Sequence, residues 1–108
     1  MFAHHSDDGY IRVSPGITRK TLVYGDKTLM TEFRLSEGAD LACHSHTHEQ
    51  TGYLVSGHMI LTIGHEEQEL FPGDSWMIPG NIPHYAKILA DTIAIEVFSP
   101  CRDEYVSC

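Results

Sequence analysis

The chain has 108 residues, 42% apolar and 20% charged, which is the balance of one globular domain and not of a disordered segment. Its formal net charge of -8 argues against nucleic acid as a partner, because phosphate binding needs a basic surface. No apolar run approaches the ~20 residues that span a bilayer. The start, Met1-Phe2-Ala3-His4-His5, also lacks the basic-then-apolar pattern of a secretion signal, so a cytoplasmic protein without membrane contact is expected.

In chain order, residues 1–16 read as an N-terminal arm. Ile17–Tyr24 is rich in β-branched and aromatic residues and ends at the turn pair Gly25-Asp26. Thr28–Leu35 follows as a strand, with Leu29, Thr31, Phe33 and Leu35 on one side, and Gly38-Ala39-Asp40 breaks it. Thr51–Ser56 leads through Gly57 into His58–Ile63. Gly64-His65 then suits the tip of a type II′ hairpin, with Glu66–Phe71 returning. Pro72-Gly73-Asp74 is a further turn before Ser75–Ile78. Pro79–Pro83 forms a rigid loop that delivers His84 into a strand reaching Leu89. Asp91 marks a last turn before Thr92–Phe98, and residues 100–108 read as a short tail. Turn signals about every ten residues, with no convincing helix, indicate a single all-β sandwich or barrel whose main body runs from about 28 to 99. Trp76, Tyr53 and Phe33 are expected in its core. Parity alone leaves Arg19, Lys20 and Arg34 as either surface or pocket groups.

The chemistry concentrates in His44-Ser45-His46-Thr47-His48-Glu49-Gln50, with His84 distant in sequence. Histidines at i and i+2 of an extended segment point to the same side. Two of them, an amide a few residues on and an imidazole from elsewhere make a pocket for a divalent metal. On a straight strand His44 and Gln50 would lie about 20 Å apart, so the site requires a corner near Thr47–Glu49, with Gln50 returning on the next strand. His48 is expected in that corner as a hydrogen-bonding group. His4, His5, His58 and His65 read as surface groups. Cys43, Cys101 and Cys108 read as free thiols, with a Cys101–Cys108 bridge left open, and alternation turns Cys43 away from His44. Glu96 sits in a strand that is apolar on both sides, where a carboxylate is costly to bury unless paired or functional. A pocket role is therefore expected for it.

These residues resemble the cupin family. Gly38-x5-His44-x-His46-x3-Gln50-x6-Gly57 has the spacing of the first cupin motif, with Gln50 where Glu is usual. Gly73-x5-Pro79-x-Asn81-x2-His84 resembles the second, with Asn81 replacing a Gly and Ile88 where Asn is often found. The resemblance implies a single-domain jelly-roll β-barrel, commonly a homodimer. It also implies a metal held inside by His44, His46, Gln50 and His84. Imidazole and amide oxygen accept Fe, Ni, Mn, Zn or Co. The neutral Gln50 leaves the ion at full charge, a stronger Lewis acid than in a three-His-one-Glu site.

The chain end, Glu96-x-Phe98-x3-Arg102, further resembles the small KdgF-type cupins that linearise unsaturated uronates released from pectin and alginate. By that resemblance Glu96 is the acid–base group, Phe98 an apolar wall and Arg102 the residue that grips a substrate carboxylate. The KdgF-type acid is typically Asp, so Glu96 is one methylene longer. The metal and Arg102 together would supply the positive charge that an acidic protein needs to hold a small anionic sugar acid. Two other functions fit the motifs: an iron-dependent dioxygenase of a small molecule, and a non-catalytic module that holds a carboxylated ligand.

Overall fold

The computed structural model describes residues 1–101; Arg102, and with it the remainder of the tail including Cys108, lies outside the described residues. The described chain is all-β, with eight strands and no helix: β1 (Ile11–Ser14), β2 (Ile17–Tyr24), β3 (Leu29–Leu35), β4 (Asp40–His44), β5 (Glu49–Ile63), β6 (Glu66–Leu70), β7 (Ser75–Ile78) and β8 (His84–Ser99). All pairings are antiparallel. The main path runs β1-β2-β3-β8-β5-β6, while β4 pairs with β8 and β7 with β5. No helix of the described residues is long and apolar enough to cross a membrane.

β8 has 16 residues, about 50 Å if straight, yet the longest dimension of the molecule is 35 Å. It and β5 must therefore bend, and the irregularity lies where they pair: the β5–β8 register shifts between Leu54 and Met59, opposite Ala94–Ile88. Gly57 makes the corner at φ 101°, and a Cβ there would meet Asp91 O at 2.5 Å and Thr92 Oγ1 at 2.3 Å. The Thr92 hydroxyl accepts the His58 N–H at 3.1 Å and donates to Ala90 O at 2.8 Å, replacing ladder bonds that the bulge displaces. Gly57 and Asp91, which read as breaks between strands, thus turn corners within two continuous ones.

Turn chemistry behaves as expected elsewhere. Gly64 has φ 61° while His65 stays at negative φ, the type II′ pattern. At Phe71–Asp74, Gly73 follows Pro72 with φ 96°, and the Asp74 N–H returns to Phe71 O at 3.0 Å, a type II turn.

Leu29, Thr31 and Leu35 are buried and Phe33 packs against them, as alternation predicts for β3. The larger core joins Ile17, Leu54, Met59, Leu61 and Ile88 from strands far apart in sequence. Phe33 and Trp76 pack against it, but Tyr53 is half-exposed on the outside of the sheet, contrary to expectation. Its neighbours explain why. Gln50, Gly52 and Leu54 all face inward, so the odd-numbered position must face out. In the N-terminal stretch, Ile11–Ser14 forms a ladder with β2. Tyr10 is pinned beside it by a hydrogen bond to Glu32, with the Arg34 guanidinium 4.0 Å from its ring. Arg34 and Glu32 thereby lie on the outer face, away from the cavity.

Candidate metal centre

The bend in β8 brings its two ends to one place. His84 begins the strand and pairs with His44 at the end of β4, while Glu96 and Phe98 lie near its other end. Straight, β8 would hold His84 and Glu96 about 40 Å apart; folded, both line one cavity of about 330 Å³ together with His44, Gln50 and Phe98. The expected corner is present: β4 stops at His44 and β5 starts at Glu49, so Gln50 returns antiparallel on a new strand.

His44, His46 and His84 each bring one ring nitrogen to within 4.8 Å of the others. Ring centroids are 4.1 Å apart for His44–His84 and 5.1 Å for His46–His84. The Nδ1 of every ring faces a backbone carbonyl: Ala42 O at 2.8 Å for His44, His48 O at 3.0 Å for His46 and Ile82 O at 2.9 Å for His84. A carbonyl only accepts, so each Nδ1 donates and each Nε2 is the nitrogen turned to the site for a metal. Three imidazoles held by their far nitrogens form a donor set suited to a divalent transition ion.

Gln50 completes the arrangement. It is buried, its Nε2 donates to Glu96 Oε2 at 2.5 Å, and its Oε1 is buried with no hydrogen-bond partner. A buried carbonyl oxygen without a donor is costly unless a cation or water meets it. The residues present therefore fit a metal. The loop at Pro79–Pro83 also fixes the site: the Asn81 N–H donates to His46 O at 2.6 Å, and Asn81 adopts φ 67°, a left-handed conformation that Asn tolerates. That conformation accounts for Asn at a position where the cupin motif has Gly.

Glu96 is buried, and its Oε1 accepts the indole N–H of Trp76 at 3.0 Å. Burial pushes its pKa up to about 8, against the opposite pull of the hydrogen bonds from Gln50 and Trp76. Phe98 is buried with its ring edge-on to His46, centroids 5.9 Å apart. His48 supplies the carbonyl that orients His46, and its own ring lies 5.5 Å from that of His46. Cys43 is an exposed free thiol. His58, on the far side, bonds Glu69 at 2.6 Å and stacks on Phe71. Trp76, expected only as core, is the functional neighbour that sequence reading missed. No local signal marked it, because its link to Glu96 runs through the pairing of Gly52 with both residues.

Residues 31–99 match the cupin domain family. The chain belongs to the cupin family. This cupin is 30% identical over 93 residues to the pectin degradation protein KdgF of Dickeya dadantii (strain 3937), with 84% of each chain covered. Its structure is similar to that of KdgF from Halomonas sp., with a TM-score of 0.91, 31% identity and 96% of both chains covered. It is also similar to an RmlC-like cupin from Shewanella frigidimarina NCIMB 400, with a TM-score of 0.91, 25% identity and 96% and 94% of the two chains covered. The cupin jelly-roll fold expected from the motifs is the fold observed.

Proposed function

We propose that this cupin converts 4,5-unsaturated uronates, as released from pectin or alginate, to linear keto acids, with a divalent transition metal held by His44, His46, His84 and Gln50. The observation that carries the reading is Glu96, a buried carboxyl in the same cavity as His44 and His84. Similarity to KdgF, a protein named for pectin degradation, supports the substrate class.

In such a uronate the reaction is an isomerisation. The C1 hydroxyl gives up its proton as the bond from C1 to the ring oxygen breaks, the ring oxygen leaves as an enol at C5, and C4 takes a proton as C5 becomes a ketone. When bound, the ion supplies Lewis acidity, which the neutral Gln50 donor leaves undiminished. Glu96 moves the proton between oxygen and C4. Phe98 walls the cavity beside His46 and keeps water from the reacting face. Arg102, three residues beyond Ser99, grips the substrate carboxylate as a bidentate partner. The test is direct: metal-loaded protein added to an unsaturated uronate should abolish the near-ultraviolet absorbance of the conjugated double bond. An unchanged absorbance trace overturns the reading.

The same reading includes a homodimer. On the outer face of β7-β5-β8-β3, paired residues place Met77, Thr51, Val97 and Met30 in one row and Tyr53 beside Ile95 in the next. Met77, Tyr53, Val55 and Met30 are 51%, 50%, 46% and 37% exposed. A contiguous apolar face of this kind marks a protein contact, and a second copy of the same face would cover it symmetrically.

A further inference from the structure

Glu96 stands in a row across three strands. Gly52 of β5 pairs with Trp76 of β7 on one side and with Glu96 of β8 on the other. All three face inward, and Gly52 has no side chain to fill the space between its neighbours. A Cβ at Gly52 would lie 2.1–2.4 Å from the Trp76 indole, including 2.2 Å from Nε1, so the indole occupies the place of the missing side chain. By lying across Gly52, Trp76 reaches the strand beyond and donates its N–H to Glu96 Oε1 at 3.0 Å. Thr31, the neighbour of Glu96 on the opposite side in β3, offers nothing here, since its buried hydroxyl has no hydrogen-bond partner. Among the described residues, the carboxyl is thus held by Trp76 on one oxygen and Gln50 on the other.

The second bond decides which end of the Gln50 amide faces the histidines. An indole N–H can only donate, so it claims Oε1 of Glu96 as an acceptor. In the carboxylate form, with Oε1 held by the indole, Oε2 accepts the Gln50 Nε2–H at 2.5 Å, which turns the Gln50 oxygen away from Glu96. An amide flipped the other way would present its NH2 group to a metal and could not ligate.

We infer that Trp76, lying across Gly52, is a positioning residue that fixes Glu96 and through it turns the oxygen of Gln50 towards the metal. This rests on the metal-binding reading above. The role explains why the row reads Trp-Gly-Glu: a larger residue at position 52 would displace the indole, and an aromatic without an N–H at position 76 would leave Glu96 Oε1 without its donor.

The test is Co2+ binding to metal-free protein, followed by visible absorption. Trp76→Phe keeps an aromatic ring over Gly52 but removes the donor. It should weaken Co2+ roughly tenfold or more, the usual cost of losing an orienting partner, and should change the band shape as an oxygen donor is lost. In a Gln50→Ala background the same substitution should cost nothing further, because Trp76 acts through Gln50. Wild-type Co2+ affinity and spectrum in Trp76→Phe, or an undiminished loss in the Gln50→Ala background, would overturn the inference. His44→Ala separates the two levels. If it leaves Co2+ binding intact, the metal reading itself fails; if it abolishes binding while Trp76→Phe does not weaken it, only the role of Trp76 fails. A measurement on the unaltered protein guards against variants that do not fold. Trp76 is the single tryptophan, so its indole N–H gives one NMR resonance. Saturating Zn2+ should shift it, and a resonance unmoved by Zn2+ counts against the inference.

Discussion

The two faces of the β7-β5-β8-β3 sheet invert the ordinary distribution of polarity in opposite senses. On the inner face, Gln50, His84 and Glu96 are buried among Leu54, Ile78 and Phe98. On the outer face Tyr53, Val55 and Met77 are exposed to about half their area. Strand alternation produces both from the same short segments, since adjacent residues point to opposite sides. Buried polar groups are costly unless matched, and contiguous exposed apolar groups are rare on monomers. The proposed complements differ accordingly: a cation and a polar ligand for the inner face, a second copy for the outer.

The inner face gives the largest effects. His44→Ala or His84→Ala should lower Co2+ affinity by more than the ~10–100-fold that a supporting residue costs, and should bring turnover of the unsaturated uronate to background in the absorbance assay. Glu96→Gln preserves size and should slow turnover ~10²–10⁴-fold, the range for a lost acid–base group. Arg102→Ala should instead raise KM for the anionic substrate. If Glu96→Gln turned over at the wild-type rate, the inner face would be a binding site without proton transfer.

The outer face is tested by charge. Tyr53→Asp combined with Met77→Lys should convert a dimer to a monomer in light scattering while the monomer keeps its metal. An unaltered mass would separate this face from self-association.

A smaller effect joins the inner face to stability. The carboxyl of Glu96, ordinarily near 4.5, is raised by burial to about 8 in the metal-free fold. Between those values the folded chain keeps a proton that the unfolded chain has released. The contribution of this group to stability is therefore full below about 4.5 and is lost as pH rises through about 8. Urea midpoints of metal-free protein should fall across that window, and Glu96→Gln should flatten the slope. Smallest in reach is Gly57→Ala. It forces a Cβ against Asp91 and Thr92 and should cost ~1–3 kcal/mol in urea unfolding without altering the Co2+ spectrum.

Much of this molecule was legible in its residues because much of it is local. The i, i+2 spacing of His44 and His46 depends only on the extended backbone. Pro72-Gly73 and Gly64-His65 specify their turns through φ preferences that neighbours do not alter. Glu96 stood out because its own strand is otherwise apolar. Tertiary structure decided the rest, through register between strands far apart in sequence. That His44 lies opposite His84, that Gly57 and Asp91 are corners within strands, and that Tyr53 faces out are consequences of how β5 and β8 pair and bend. Trp76 over Gly52 is the plainest case. They stand 24 positions apart, and only the alignment of β7 on β5 turns a missing side chain into room for an indole that reaches Glu96. Backbone conformation is a property of a few neighbouring residues, whereas register is settled by the summed packing of the whole sheet.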